Sequence, residues 1–218
     1  LQEAINTTAE EYGVEADALA KGKLKYIEND LFPIAKNGKN LNKETYDDSI
    51  EKIAKEKGVD PNVIKKLINK ESGYSTQSKS NKGARGIMQL SPAVAKQYGV
   101  ENIIHSNKPE DVKKVISAGI DYYKKMLDQN NGDYLLASAA YNGGQKSIDF
   151  VKQKLNKQDI TGNDWVNYMT ERRKTNPSKN KHAWQNETYN YVTSIHDNNN
   201  INVPVNSEEL IPITTETT

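Results

Sequence analysis

Several stretches of the chain begin with a proline and continue with apolar residues at helical spacing. Pro61, Pro92 and Pro109 each stand at a first helical position, where a fixed φ and a missing N–H are tolerated. Asp60 and Ser91, which precede the first two, have side chains that cap helices. Strand signals are scarce, so the pattern predicts a mainly α fold. The predicted helices are 46–57, 61–71, 91–98, 109–129, 133–141, 144–155 and 183–196.

Composition shifts twice along the chain, and the shifts divide it into three parts. A lysine-rich stretch with one glycine lies at 36–42, and a run of asparagines begins at Asn198. We expect a helical accessory segment at 1–45, a compact domain at 46–197, and a polar, extended tail at 198–218.

Charge and residue usage exclude several kinds of site. The 218 residues include 30 Lys and Arg and 29 Asp and Glu, so the formal net charge is +1 and we expect no nucleic-acid partner. Cysteine is absent from the sequence, which excludes disulfides, thiolate metal sites and cysteine nucleophiles. His105, His182 and His196 lie in unrelated segments without metal-ligand spacing, so we predict no metal site.

The sequence also bears on membranes and export. It contains no apolar run long enough for a membrane span and no charged-then-apolar signal peptide at Leu1. Because the first residue is not Met, we expect a mature form or an excised domain.

One predicted helix has a glutamate at the C-terminal end of its apolar face. Glu71 follows Leu67 and Ile68 at i+4 and i+3, so it lies on the face that these residues form. A carboxyl group held there loses solvation, which favours the neutral acid and raises its pKa, as a general acid near neutral pH requires. The alternative is that Glu71 turns outward at the helix end and meets a lysine such as Lys70 or Lys79.

Two glycine-containing segments that follow are suited to build a cleft. In "SNKGARGIMQL", Gly83 and Gly86 permit tight turns, and Gln89 offers an amide. In "LLASAAYNGG", a helix of small residues delivers Tyr141 and Asn142, whose hydroxyl and amide can hydrogen-bond a carboxyl group or a sugar. Tyr141 is equally suited to be a half-buried core aromatic.

Six short motifs follow one another along the chain. They are "VDP" at 59–61, "ESGY" at 71–74, "SNKGARGIMQLSP" at 80–92, "AGIDYY" at 118–123, "AAYNGG" at 139–144 and "ETYNYV" at 187–192. In this order, over about residues 46–196, the chain resembles the catalytic domain of the soluble lytic transglycosylases, which is related to goose-type lysozyme.

The resemblance implies a lysozyme-like helical domain without metal or cofactor, with a cleft for the glycan strand of peptidoglycan. The strand would be cut between N-acetylmuramic acid and N-acetylglucosamine. Glu71 aligns with the family's single catalytic acid/base. It would protonate the glycosidic oxygen and then take the proton of the muramoyl C6 hydroxyl as that oxygen closes on C1, which gives a 1,6-anhydromuramoyl end. By the same matching, Ser72 would support Glu71, and the cleft floor would be lined by Gly86, Ile87, Met88 and Gln89. Tyr141 and Asn142 would hold the acid and the sugar. Tyr191 would stabilise charge near the reaction centre.

The spacing of acidic residues gives one independent indication about the reaction. A hydrolysing glycosidase normally needs a second carboxylate, and between Glu71 and Glu110 the only acidic residue is Glu101. This favours attack by the substrate's own hydroxyl, although a carboxylate from a distant segment stays open.

Two other functions remain in competition. One is a hydrolytic muramidase on the same fold, which an acidic residue opposite Glu71 across the cleft would favour. The other is a glycan-binding or structural module that assembles in a phage particle or in a conjugation or secretion machine. In each case we expect the protein in the cell envelope, outside the cell or on a virion.

The stretch 159–183 is longer than the family needs and carries the basic run "ERRKTNPSKNK". We expect a solvated loop there, with contact to anionic wall components as the alternative. Trp165 or Trp184, if exposed, would be able to stack on sugar rings.

Overall fold

The structure is a computed structural model that describes residues 24–27, 30–35, 41–175 and 184–196. These residues form a mainly helical fold, as predicted, and no helix among them is long and apolar enough to cross a membrane. The elements are β1 (Leu24–Ile27), β2 (Asp30–Ala35), α1 (Leu41–Glu56), α2 (Pro61–Ser72), α3 (Pro92–Gln97), α4 (Pro109–Gln129), α5 (Tyr134–Gly143), α6 (Lys146–Leu155), α7 (Gly162–Thr175) and α8 (Trp184–Ile195).

The N-terminal part differs from the helical prediction. β1 and β2 pair antiparallel, with Leu24 opposite Ala35. The segment that contains them, "LKYIENDLFPIA", is rich in β-branched and aromatic residues, and its Pro33 disfavours a helix interior. The prediction of a helical segment at 1–45 is therefore wrong for the strand residues. The other residues of that segment, 1–23, 28–29 and 36–40, lie outside the described residues, and so does the tail 198–218.

The ends of α2 follow the signals in the sequence. The side chain of Asp60 accepts a hydrogen bond from the backbone N–H of Asn62 at 2.8 Å, and Pro61 is the first helical residue. Gly73 ends the helix in the left-handed conformation, with φ of 59°, and its N–H donates to the carbonyl of Asn69 at 3.0 Å. These two ends fix which residues form the last turn, and Glu71 is one of them.

The helix α5 lies at the centre of the described domain. It packs against α4, α6, α7 and α8, and residues 136–140 are buried. Four of these five residues are Ala or Ser, and such small side chains allow neighbouring helices to approach closely. The one buried hydroxyl among them, that of Ser138, is paired with the hydroxyl of Tyr123 at 2.9 Å and with Nε2 of His196 at 2.8 Å. The core is therefore closely packed and its polar group is satisfied.

The helix α7 was not predicted from the sequence. One of its faces is buried, and Trp165 on that face is 1% exposed. The indole N–H of Trp165 donates to the backbone carbonyl of Ser147 at 3.0 Å, so the ring fills the space between α7 and α6. The prediction of an exposed, sugar-stacking Trp165 is therefore wrong. The side chain of Trp184 lies outside the described residues.

The basic run begins inside α7, and its two arginines pack on aromatic rings. The guanidinium of Arg172 lies 5.1 Å from the ring centre of Phe150, and that of Arg173 lies 4.6 Å from the ring centre of Tyr189. The prediction of a solvated loop is thus wrong for this part of the run, whereas residues 176–183 lie outside the described residues.

We expect Gly119→Ala to destabilise the domain by about 1–3 kcal/mol, because overpacking a close contact has a cost of that size. A methyl group at Gly119 of α4 would lie 2.5 Å from Cε and 2.9 Å from Cβ of Met88, and Cβ is fixed by the backbone. Urea unfolding followed by circular dichroism measures the change. Ser117→Ala on the same helix is the control, and equal stability of both variants would contradict this packing.

Candidate active site

Glu71 lies in the last turn of α2 and opens into a cleft. On the same face, Leu67 and Ile68 are fully buried, and Glu71 itself is half-buried. The cleft has a volume of about 350 Å3 and is lined by Lys70, Glu71, Asn142, Glu187, Asn190 and Tyr191. The structure thus places the carboxyl group where the apolar face meets open space, and not on a fully solvated helix end.

One hydrogen bond fixes the carboxyl group of Glu71. The hydroxyl of Tyr191 on α8 donates to Oε1 of Glu71 at 2.6 Å, and Tyr191 is 3% exposed. Burial raises the pKa of the Tyr191 hydroxyl well above its ordinary value, and the nearby charge of Glu71 adds to this. The phenol therefore stays protonated and acts as a donor at neutral pH.

The pKa of the Glu71 carboxyl group is raised from its ordinary value of 4.5 to about 7. Loss of solvation is the main cause, and the negative charge of Glu187 adds to it. The hydrogen bond from Tyr191 and the positive charge of Lys70 act in the opposite direction. Such a group can both give and take a proton near neutral pH.

The loop 86–89 is attached to the end of α2, next to Glu71. The hydroxyl of Ser72 donates to the carbonyl of Ile87 at 2.7 Å, which ties the end of α2 to the segment 86–89. Gly86 has φ of 74°, and a Cβ there would lie 2.4 Å from the carbonyl oxygen of Ile104, so only glycine fits. Gln89 also has a positive φ, 47°, and its amide donates to the carbonyls of Gly86 and Ser78 at 2.9 and 3.0 Å.

Tyr141 is also attached to the loop 86–89. Its hydroxyl donates to the carbonyl of Met88 at 2.7 Å, and its ring centre lies 5.3 Å from that of Tyr122. Burial, followed by the charge of Glu71, raises the pKa of the Tyr141 hydroxyl well above its ordinary value, so it stays a neutral donor. Its single proton is directed at the backbone of the loop and not at Glu71.

The structure separates the sequence-predicted site residues into two groups. Glu71, Asn142 and Tyr191 line the cleft together. The others contact the loop or the core behind it: the side chains of Ile87 and Met88 are buried, and Ser72, Gln89 and Tyr141 bond to loop carbonyls. The assignment of Ile87 and Met88 to the cleft floor remains a prediction, as do the substrate contacts of the whole set.

Three residues that line the cleft were not predicted as site residues from the sequence: Lys70, Glu187 and Asn190. Glu187 precedes Tyr191 by four residues on α8, so helical spacing from Tyr191 could have found it. Its carboxylate forms an ion pair with Lys82, with Nζ of Lys82 2.8 Å from Oε2 of Glu187. An acidic residue in the same cleft as Glu71 is the feature that we expect a hydrolase to have.

The described residues contain no group of three or more His, Asp or Glu side chains that could hold a metal ion.

Comparison with known proteins identifies the family. The model of the Transglycosylase SLT domain matches residues 48–163, more than half of the chain. The chain therefore belongs to the transglycosylase SLT domain family, and the resemblance seen in the sequence is confirmed. Glu71 and Asn142 lie inside the matched range, whereas Glu187 and Tyr191 lie beyond it.

The chain is also similar to curated proteins. It is 30% identical over 121 residues to membrane-bound lytic murein transglycosylase F 1 of Alkalilimnicola ehrlichii, covering 53% of this chain and 23% of that protein. It is 33% identical over 92 residues to a transglycosylase of Enterobacteria phage PRD1, covering 42% of this chain and 32% of that protein. The chain thus spans less than a third of the length of these relatives.

Among solved structures, the chain is similar to an inactive mutant of the lytic transglycosylase Slt from Pseudomonas aeruginosa. The TM-score is 0.49 at 23% identity, covering 68% of this chain and 22% of that one. It is also similar to the 70 kDa soluble lytic transglycosylase of Escherichia coli, with a TM-score of 0.49 at 19% identity, covering 88% and 28%.

We expect Tyr191→Phe to raise the pKa of Glu71 above its wild-type value. The lost hydrogen bond favours the charged carboxylate, so its removal favours the neutral acid. NMR titration of 13C-labelled glutamate carboxyl groups measures the shift, with the Glu71 signal assigned by its absence in Glu71→Gln.

Tyr189→Phe is the matched control, because the hydroxyl of Tyr189 pairs with Thr170 at 3.0 Å and does not contact Glu71. A lower or unchanged pKa of Glu71 in Tyr191→Phe would show that this hydrogen bond does not stabilise the carboxylate.

Proposed function

We propose that the protein is a peptidoglycan lytic transglycosylase that cuts between N-acetylmuramic acid and N-acetylglucosamine and leaves a 1,6-anhydromuramoyl end. The observation that carries this proposal is Glu71, a half-buried acid in an open cleft with a pKa of about 7, in a chain of the SLT domain family. The relatives named as lytic murein transglycosylases support the same reaction.

In the first step, Glu71 acts as the acid. At neutral pH a substantial fraction of its carboxyl group carries a proton, which passes to the glycosidic oxygen as the bond from C1 to that oxygen breaks. The departing N-acetylglucosamine unit leaves as a neutral alcohol, and positive charge develops at C1 of the muramoyl unit. The new Glu71 carboxylate faces that charge across the cleft.

In the second step, the same carboxylate acts as the base. It takes the proton of the muramoyl C6 hydroxyl while that oxygen bonds to C1, so the 1,6-anhydro ring closes and Glu71 regains its proton. Because the nucleophile belongs to the substrate, the reaction needs neither water nor a second carboxylate. The hydroxyl of Tyr191, 2.6 Å from Oε1, stabilises Glu71 while it is charged.

Hydrolysis is the second candidate, and Glu187 is the observation that favours it. Glu187 lines the same cleft as Glu71 and is able to act as a base that activates water. However, one of its carboxylate oxygens accepts the ion pair from Lys82, and its side chain is 58% exposed. A structural role, in which Glu187 pairs with Lys82, accounts for these contacts equally well.

The proposed substrate places the protein in the cell envelope or at the wall from outside, because peptidoglycan is found only there. Assembly in a phage particle or an envelope machine stays a prediction, and the similarity to the transglycosylase of phage PRD1 fits the former.

The test is mass spectrometry of muropeptides released from purified peptidoglycan by the wild type, Glu71→Gln and Glu101→Gln. We expect anhydromuramoyl ends from the wild type, and release by Glu71→Gln that is lower by about 10²–10⁴-fold because the proton donor is gone. Glu101 is exposed and outside the cleft lining, so Glu101→Gln controls for the loss of a carboxyl group and should match the wild type.

Other outcomes separate the alternatives. Reducing ends that incorporate 18O from labelled water would favour the hydrolase. Full activity of Glu71→Gln would remove Glu71 from the reaction. An absence of release by the wild type would favour a glycan-binding or structural module.

A further inference from the structure

The lining of the cleft includes a positive charge and hydrogen-bond donors. Lys70 of α2 lines the cleft immediately beside Glu71, and its side chain is exposed. Within residues 41–175 and 184–196 it forms no ion pair, in contrast to Lys82, which is paired with Glu187. Its ammonium group, which has no carboxylate at ion-pair distance in this part of the chain, is therefore available to a ligand in the cleft.

The neighbouring amide of Asn190 has a defined orientation. Nη1 of Arg173 donates to Oδ1 of Asn190 at 2.6 Å, and the guanidinium of Arg173 is itself held on the ring of Tyr189. Because the amide oxygen is engaged, the NH2 group of Asn190 is the end that remains to face a ligand. Asn190 and Lys70 thus both offer donors to the same cleft.

The charges around the cleft also favour an anion. The carboxylate of Glu187 is balanced by Lys82. When Glu71 is protonated, the positive charge of Lys70 has no counter-charge among the other lining residues, and Arg173 adds a second positive charge beside Asn190. The hydroxyl and acetamido groups of an uncharged sugar do not need a cation, whereas a carboxylate forms its strongest hydrogen bonds with one.

We propose that Lys70, together with the amide of Asn190, binds a carboxylate carried by the muramoyl unit next to the scissile bond, so that strands with this carboxylate are preferred over strands in which it is amidated. The inference rests on the proposed function and adds a substrate preference to it. The carboxylate has two chemical sources: the lactyl group of peptide-free strands, or a free carboxyl group of the peptide stem.

The test compares kcat/KM on three substrates: peptide-free strands, strands with free carboxyl groups on the stem, and the same strands with those groups amidated. We expect the wild type to prefer one of the carboxylated substrates over the amidated one by about 3- to 10-fold, as one partly exposed charge-assisted hydrogen bond would give. Preference for peptide-free strands assigns the lactyl carboxylate, and preference for free stems assigns the stem carboxylate.

Three variants isolate the role of Lys70. Lys70→Gln should abolish the preference, and Lys70→Arg should keep it because it keeps the charge. Lys66→Gln is the matched control, since Lys66 is an exposed lysine of the same helix that does not line the cleft. Loss of Lys70 also removes a charge that lowers the pKa of Glu71, but that effect is common to all substrates and cancels in the ratio measured at one pH.

Binding gives a second readout that does not depend on turnover. Calorimetric titration of Glu71→Gln and of the double variant Glu71→Gln/Lys70→Gln with the three strands should give the same order of affinity and the same loss of preference. Equal ratios with and without Lys70, in turnover and in binding, would overturn the proposal. Failure of the wild type to cleave any strand would overturn the proposed function instead, and the binding ratios would still decide the role of Lys70.

Discussion

The burial of one carboxyl group, that of Glu71, is the constraint on which the site depends. A carboxylate in this position loses part of its hydration, so the neutral acid is favoured and the pKa rises to about 7. Among the residues that the structure describes, the hydrogen bond from Tyr191 at 2.6 Å opposes this shift directly. The result is a group poised between its two protonation states, which is the property that an acid/base acting in both steps of a reaction requires.

Contacts in the rest of the described domain fix the position of the Glu71 carboxyl group. The caps at Asp60 and Gly73 fix the last turn of α2, and the Ser72 hydroxyl attaches it to the loop carbonyl of Ile87. The small residues of α5 allow α8 to pack closely, and α8 brings Tyr191 to the carboxyl group. The left-handed backbone of Gln89 is held by the hydrogen bonds of its own amide, as strained residues near functional sites commonly are.

The parts of this arrangement that depend on local sequence could be predicted. Six of the seven predicted helices agree with the structure to within two residues at each end, because prolines, capping side chains and apolar spacing act over a few residues. The inward position of Glu71 followed from its spacing to Leu67 and Ile68.

The parts that depend on distant or weak signals could not be predicted. The ion pair of Lys82 and Glu187 joins residues 105 positions apart, and no local pattern indicates it. The helix α7 was not predicted because its buried face is short and most of its residues are polar. Trp165 was for the same reason interpreted as a possible surface residue. The strands β1 and β2 were missed because a two-stranded pair is too short to give a strong alternating pattern.

The role of Glu71 as the acid can be tested by the pH dependence of kcat/KM for cleavage of purified glycan strands by the wild type, because this profile reports the pKa values of the free enzyme. We expect kcat/KM to fall by about tenfold per pH unit above pH about 7, since the acid form of Glu71 is then lost. A profile that stays flat to about two pH units above this value would contradict a reaction that starts from a half-buried, protonated Glu71.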